Sequence, residues 1–196
     1  MKNKEKCILV TGDFMESQYL WLIPILDGFL QKQNTYTIIF EKKLSKNLMR
    51  DVCIKKFIKK YNIVFLNQSK FIRRIKLVLL VITNLKDILN KIIFFDNLIS
   101  VKKKTWYEIQ INHGIWDYVN LNIDEKSLKK TLKNKFLSII LNYEKVSFAL
   151  KIKKLYNIKY AFMGHSVYSS RALLASLRVN KIKIFSQASF NIHGQR

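Results

Sequence analysis

The stretch YAFMGHSVYSSRALLASLRVNKIKIFSQASFNIHGQR, residues 160–196, decides the fold. Its first part is an apolar run, Lys159–Met163, that stops at the turn Gly164-His165-Ser166. A helical pattern over Ser166–Val179 follows, then a second apolar run, Ile182–Phe185. Strand, turn, helix and strand make a βαβ unit, whose two strands run parallel. In open sheets of this kind, ligand-binding residues collect beyond the carboxyl ends of the strands. The sequence stops one loop after the last strand, so the chain is expected to be one half of something larger.

The same alternation runs back to the amino terminus. Cys7–Thr11 (CILVT) reads as a buried strand ending at Gly12-Asp13. Met15–Gln33 reads as a helix with Leu20, Ile23, Leu26 and Leu30 on one face, and Pro24 is expected to kink it. Tyr36–Phe40 is the next strand. A helix over Ser45–Tyr61 turns Leu48, Val52 and Ile58 inward, and Ile63–Leu66 follows as a strand. Arg73–Ile93 has helical periodicity. Glu108–Asn112 (EIQIN) alternates like a fourth strand and ends at His113-Gly114. Ser127–Tyr156 is helical, as one helix or two, with Asn157 as a left-handed stop. Short apolar runs separated by helices predict a single doubly wound, Rossmann-like α/β domain of about six parallel strands, with helices on both faces. The expected order places the first strand centrally, the second and third on one side, and the fourth and fifth on the other. Gly12, His113, Gly164 and Gln187 would then share one edge of the sheet.

Composition narrows the function. The 196 residues carry 36 Lys+Arg against 13 Asp+Glu, a formal charge of +23. Six of the 36 are arginines: Arg50, Arg73, Arg74, Arg171, Arg178 and Arg196. Base and phosphate readout favours the arginine fork, so a lysine-dominated surface argues against a nucleic-acid binder. It suits an anionic substrate or an anionic membrane leaflet better. One proline and five glycines leave no linker-like tract. Cys7 and Cys53 have no CxxC neighbour and read as buried, reduced thiols. The run CILV is too short for a signal-peptide core. The apolar stretch Ile75–Thr83 is interrupted by Lys76 and followed by Asn84, Lys86 and Asp87, well short of the roughly 20 apolar residues of a spanning helix. A cytoplasmic protein is expected, with room for peripheral association at the inner membrane face.

Four strand ends carry the non-structural residues: Thr11-Gly12-Asp13, His113-Gly114, Gly164-His165-Ser166 and Ser186-Gln187. Gly12-Asp13 stands where a dinucleotide fold places its glycine fingerprint, but the sequence is TGDFMES and GxGxxG is missing, which argues against a conventional nicotinamide or flavin site. A turn with Asp13 near a helix N-terminus is the plainer reading. His113-Gly114-Ile115-Trp116-Asp117-Tyr118 offers a general base in His113 and an orienting or sugar-binding carboxylate in Asp117. Trp116 and Tyr118 add flat faces for a sugar. A plain loop with a backbone-bonded histidine is the alternative. Gly164-His165-Ser166-Val167-Tyr168 is close to the nucleophile elbow GxSxG, with Tyr168 in place of the last glycine. No acidic residue occurs from Lys145 to Arg196, so the downstream Asp or Glu of a hydrolase triad is missing, which argues against a hydrolase. Ser166 is better read as a helix N-cap, whose first-turn N–H groups, with Arg171 one turn on, suit a phosphate or carboxylate. Arg178 shares a helix face with Arg171. His113, His165 and His193 lack partners at ligand spacing, so no metal site is expected.

The segments HGIWDYVN and MGHSVYSSRALLASLRVNKIKIFSQASFNIH resemble the amino-terminal half of bacterial capsular or surface-polysaccharide biosynthesis glycosyltransferases of the GT-B type. The resemblance is sharpest over Tyr160–His193 and weaker over Ile111–Asn120. It implies an acceptor-side Rossmann-like domain, which often carries the catalytic base, facing a second domain that binds a nucleotide-sugar donor. It also implies metal-independent transfer, with no resident cofactor, to a glycan or lipid-linked acceptor. His113, Asp117 and His165 are the candidates for catalysis. Gly12, Asp13, Trp116, Tyr118, Gly164, Ser166, Arg171 and Gln187 are the candidates for substrate contact. One domain of about 150 residues fits within this length and two do not, so the chain is expected to be a fragment, to have its donor domain encoded separately, or to be a degenerate remnant, and to be inactive alone. A non-catalytic binding or scaffold domain of the same ancestry, and an unrelated basic α/β protein that binds nucleic acid, are the competing readings.

Overall fold

A computed structural model of the chain describes residues 5–11, 14, 16–32, 36–66, 69–95, 105–121, 128–164 and 169–186. Among these, five strands form one all-parallel sheet in the order β3-β2-β1-β4-β5. The strands are β1 (Lys6–Thr11), β2 (Tyr36–Phe40), β3 (Ile63–Phe65), β4 (Asn157–Met163) and β5 (Lys183–Ser186). Seven α-helices accompany them: α1 (Glu16–Gln31), α2 (Val52–Lys60), α3 (Lys70–Thr83), α4 (Leu85–Ile93), α5 (Trp106–Leu121), α6 (Leu128–Leu155) and α7 (Ser169–Val179). The first strand is central and the second and third lie to one side, as the sequence predicts. The strand that ends at Met163 and the one that follows α7 take the other side.

The chain divides into two compact units. The first comprises residues 1–67, 153–166 and 182–196, and contains the whole sheet with α1 and α2. Its core is built by period-two burial: Ile8 and Val10, Ile38 and Phe40, and Phe162 all point to one face. Leu22, Ile23, Leu26 and Leu30 of α1, with Ile54 and Phe57 of α2, cover that face. The alternate residues Leu9, Ile39 and Ala161 are also fully buried. Phe29 of α1 sits edge-on to Tyr36, Tyr160 and Phe162, the geometry aromatic quadrupoles favour. The pairing of β1 with β4 shifts between Cys7 and Ile8, from Ile158 to Tyr160, which leaves Lys159 as a bulge in β4.

The second unit, residues 68–152 and 167–181, is helical. Ile88, Phe95, Ile115, Val119, Ile139 and Ile140 form its core. Two of its helices start where side chains supply the missing acceptors. Ser69 Oγ accepts from Ile72 N at 3.2 Å ahead of α3. Ahead of α5, Thr105 Oγ1 accepts from Glu108 N at 3.3 Å, while Glu108 Oε2 accepts from Thr105 N at 2.8 Å, a reciprocal capping box.

Several expectations are corrected. Glu108–Asn112 is not a strand but the first half of α5. The capping box starts a helix, and Ile111, Ile115 and Val119 recur at helical spacing toward the core. The described sheet therefore has five strands, and His113 does not stand at a strand end. Arg73–Ile93 is two helices meeting at Asn84, whose side-chain Nδ2 bonds back to Leu80 O at 2.9 Å. The helix expected over Ser45–Tyr61 is a short 3-10 turn (Leu48–Arg50) followed by α2, because Asp51 takes an extended conformation and caps Ile54 N at 3.0 Å. Val52 and Leu20 are exposed rather than inward. Asn157 does not stop α6 in a left-handed turn. It opens β4, paired with Lys6, and the one non-glycine residue at positive φ among those described is Lys181, at 60°. Cys7 is buried as expected, but Cys53 is exposed on α2.

Candidate functional site

In the first unit the carboxyl ends of the strands meet at Thr11. Thr11 ends β1 in register with Met163 of β4, and its carbonyl accepts from Gly164 N at 3.2 Å. The Thr11 side chain is 1% exposed, and its hydroxyl donates to the Glu41 carboxylate. Glu41 directly follows β2, and its own N–H donates to Val10 O at 2.9 Å. Parallel pairing thus brings Thr11, Glu41 and Gly164 to one edge of the sheet. Gly164 is buried where the sequence expects it. Its intended neighbours Gly12, Asp13, His165, Ser166 and Gln187 lie outside the described residues.

At the opposite edge a polar chain holds β1 and β2 together. Thr37 Oγ1 donates to Glu5 Oε2 at 2.7 Å and accepts from Asn62 Nδ2 at 2.9 Å. Close to α2, Asp27 accepts from Lys60 Nζ at 2.8 Å and from Tyr61 Oη at 2.6 Å. These two bonds hold the Asp27 carboxyl below its ordinary pKa.

In the second unit, α5 and α7 pack antiparallel, and the contacts follow from residue spacing. Trp106 and Tyr107 at the start of α5 meet Arg178 and Ser176 near the end of α7. The Arg178 guanidinium lies 5.9 Å from the Trp106 ring centre, and Tyr107 Oη lies 3.1 Å from Ser176 Oγ. Ser176 Oγ itself donates to Ala172 O at 2.7 Å, so Tyr107 is the donor of the shared contact. Three turns further along α5, Asp117 Oδ2 lies 3.0 Å from Arg171 Nε. That contact is a charge pair without a well-aligned hydrogen bond, since Nε is buried and finds no acceptor in good geometry.

Two residues that the sequence singles out separately, Asp117 and Arg171, are therefore brought together. His113 lies one turn before Asp117 on α5 and is half-buried. Trp116 is half-buried and packs against the core that contains Ile115 and Val119. Tyr118 lies in α5. Sequence reading misses Glu41. Its signal is an acidic residue immediately after an apolar strand in a parallel-sheet pattern, the place where such folds often hold hydroxyl ligands. Among the described residues no three of His, Cys, Asp and Glu converge on a common point that could hold a metal. No helix is long and apolar enough to cross a membrane among those residues.

No protein-family model, curated protein or solved structure matches this chain.

Proposed function

We propose that the chain is the acceptor-side, Rossmann-like domain of a GT-B-type glycosyltransferase acting in surface-polysaccharide synthesis. The observation that carries the reading is the junction of Thr11, Glu41 and Gly164 at the carboxyl edge of a parallel sheet with β1 at its centre. The crevice outside such an edge is where open α/β sheets bind ligands. A carboxylate that already accepts one hydroxyl proton, from Thr11, is the right group to accept others from a sugar. The resemblance over Tyr160–His193 includes Gly164 of this edge.

In this reading a glycan hydroxyl is oriented by Glu41, and its proton passes to a histidine as the hydroxyl attacks the anomeric carbon of a nucleotide sugar, whose bond to the phosphate oxygen breaks and releases the nucleoside phosphate with the bonding electron pair. His165, next in sequence to Gly164, takes that role in preference to His113, which is carried in the middle of α5. The donor nucleotide belongs to a second Rossmann domain, because displacement needs both substrates held together in near-attack geometry.

A glycan array followed by titration calorimetry tests the assignment. Saturable binding of an oligosaccharide, weakened about tenfold or more by Glu41→Gln, is expected, since a charge-assisted hydrogen bond contributes about 1.5–3 kcal/mol. A polynucleotide that binds more tightly than any glycan, with steep salt dependence, would replace this reading by nucleic-acid binding.

A further inference from the structure

Helices α3 and α4 carry more apolar side chains than their inward stripe uses. Leu77, Val81, Ile88 and Ile92 face the core of the second unit. Phe71, Ile75, Val78 and Ile82 of α3, with Leu85 and Leu89 of α4, point outward at successive spacings of four and three residues. All six are exposed, Phe71 to 72% and Ile82 to 64%. Scattered exposed apolar residues need no explanation, but a continuous stripe of this kind marks a surface that is covered by something.

Charge decides what covers it. Arg74 and Lys76, on the same helix α3 as the stripe, are both exposed. Lys76 stands beside Lys151 of α6, within the same unit. Desolvation first, and then the neighbouring Lys151 ammonium, push the Lys76 pKa down. Two ammonium groups held side by side are a place where an anion is stabilising. A second copy of the chain would set the same cations against each other. The only acidic residue on α3 and α4 is Asp87, and Lys91 Nζ occupies it at 2.8 Å. With a formal charge of +23 the chain repels its own kind. An anionic bilayer offers both halves of the match, acyl chains for the stripe and phosphates for the lysines.

We propose that α3 and α4 lie in the plane of an anionic lipid bilayer surface, with Phe71, Ile75, Val78 and Ile82 among the acyl chains and Lys76 and Lys151 on headgroup phosphates. The 14 residues of α3 span about 21 Å, enough to lie along an interface and too little to cross one. This surface belongs to the second unit, and the proposal does not depend on the assignment made at the sheet edge of the first.

Co-sedimentation of the full chain with vesicles tests it, using phosphatidylcholine alone and phosphatidylcholine with about one-third phosphatidylglycerol. Binding to the anionic vesicles only is expected. Val78→Ser/Ile82→Ser should weaken it about tenfold or more, and Val52→Ser, an exposed apolar change on α2, should leave it unchanged. Lys76→Ala/Lys151→Ala should weaken it about 30-fold, at roughly 1 kcal/mol for each basic charge. That second variant removes a repulsion, so it remains informative if the serine variant folds poorly. No anionic-vesicle binding at low salt overturns the proposal. So does binding that the serine variant leaves intact, which would be attraction by net charge alone. Light scattering that shows a stable dimer dispersed by Val78→Ser/Ile82→Ser would assign the stripe to self-association instead.

Discussion

The carboxylate of Asp117 on α5 faces the guanidinium of Arg171 on α7, with Oδ2 and Nε 3.0 Å apart. Both side chains are mostly withdrawn from water, at 24% and 32% exposure. The pair sits at one end of an antiparallel helix contact whose other end is Trp106 against Arg178. It therefore fixes the register of α7 on α5. Asp117→Asn is expected to cost about 1–2 kcal/mol, more than an exposed ion pair and less than a fully buried one. A double-mutant cycle with Arg171→Gln, read by urea unfolding, checks it. Strictly additive losses would show that the two groups are neighbours without being partners.

The start of α5 is set by Thr105 and Glu108. Thr105→Ala removes the hydroxyl that accepts from Glu108 N and should lower stability by about 1 kcal/mol. Thr105→Ser should restore most of the loss. If serine and alanine melt at the same temperature, the start of the helix is held by packing and the capping box adds nothing.

The Asp27 site gives stability an acid limb. Lys60 and Tyr61 hydrogen bonds hold the Asp27 carboxyl low in the folded state. A depressed folded pKa gives stability that is present above the unfolded value of about 4 and is lost as pH falls through the folded one. Lys60 is raised by its bond to Asp27, so its share is present below its unfolded value near 10.4 and is lost as pH rises through the folded one. Asp27→Asn should flatten the acid limb relative to the parent and leave pH 5 to 8 parallel. Urea midpoints measured from pH 3 to 8 decide this, and coincident slopes below pH 4 would remove Asp27 from the account.

Legibility in the sequence follows how local the signal is. The runs CILVT, YTIIF and YAFM were readable as strands because a strand buried on both faces is apolar throughout, and their parallel order follows from the helices between them. EIQIN misleads because Ile109 and Ile111 alternate over a window too short to separate period two from period 3.6. The deciding signals were the capping box at Thr105 and the recurrence Ile111, Ile115, Val119. Asn157 carries a local preference for a left-handed stop that pairing with Lys6 overrides. Glu41 looks like an ordinary solvated strand end. Its bond to Thr11 depends on the register between β1 and β2, which no local pattern specifies.

The two cysteines should differ sharply toward thiol reagents. Cys7 is buried in β1, and burial pushes its thiol pKa up, while Cys53 is exposed on α2. Since the thiolate is the reactive form, a disulfide reagent should label Cys53 at once and Cys7 only after unfolding. One equivalent of rapid reaction in the native protein, reduced to none by Cys53→Ser, is expected. Two rapid equivalents would mean that β1 opens on the timescale of the assay.

The contact between Thr11 and Glu41 separates a structural role from a binding role. Thr11→Val keeps the shape of a buried residue and removes the hydroxyl proton that Glu41 accepts. It should cost about 1–2 kcal/mol, because the half-buried carboxylate recovers only part of the loss from water. Glu41→Gln keeps an amide oxygen that accepts the same proton, so its stability should fall by less than about 1 kcal/mol. The order reverses for ligand binding: glutamine removes the negative charge that a sugar hydroxyl would meet, whereas valine leaves the carboxylate in place. Urea unfolding and the glycan titration, run on both variants, give four values that must show this crossing. If Glu41→Gln destabilises at least as much as Thr11→Val and leaves binding unchanged, Glu41 serves only to tie β2 to β1, and the ligand edge must be sought elsewhere along the sheet.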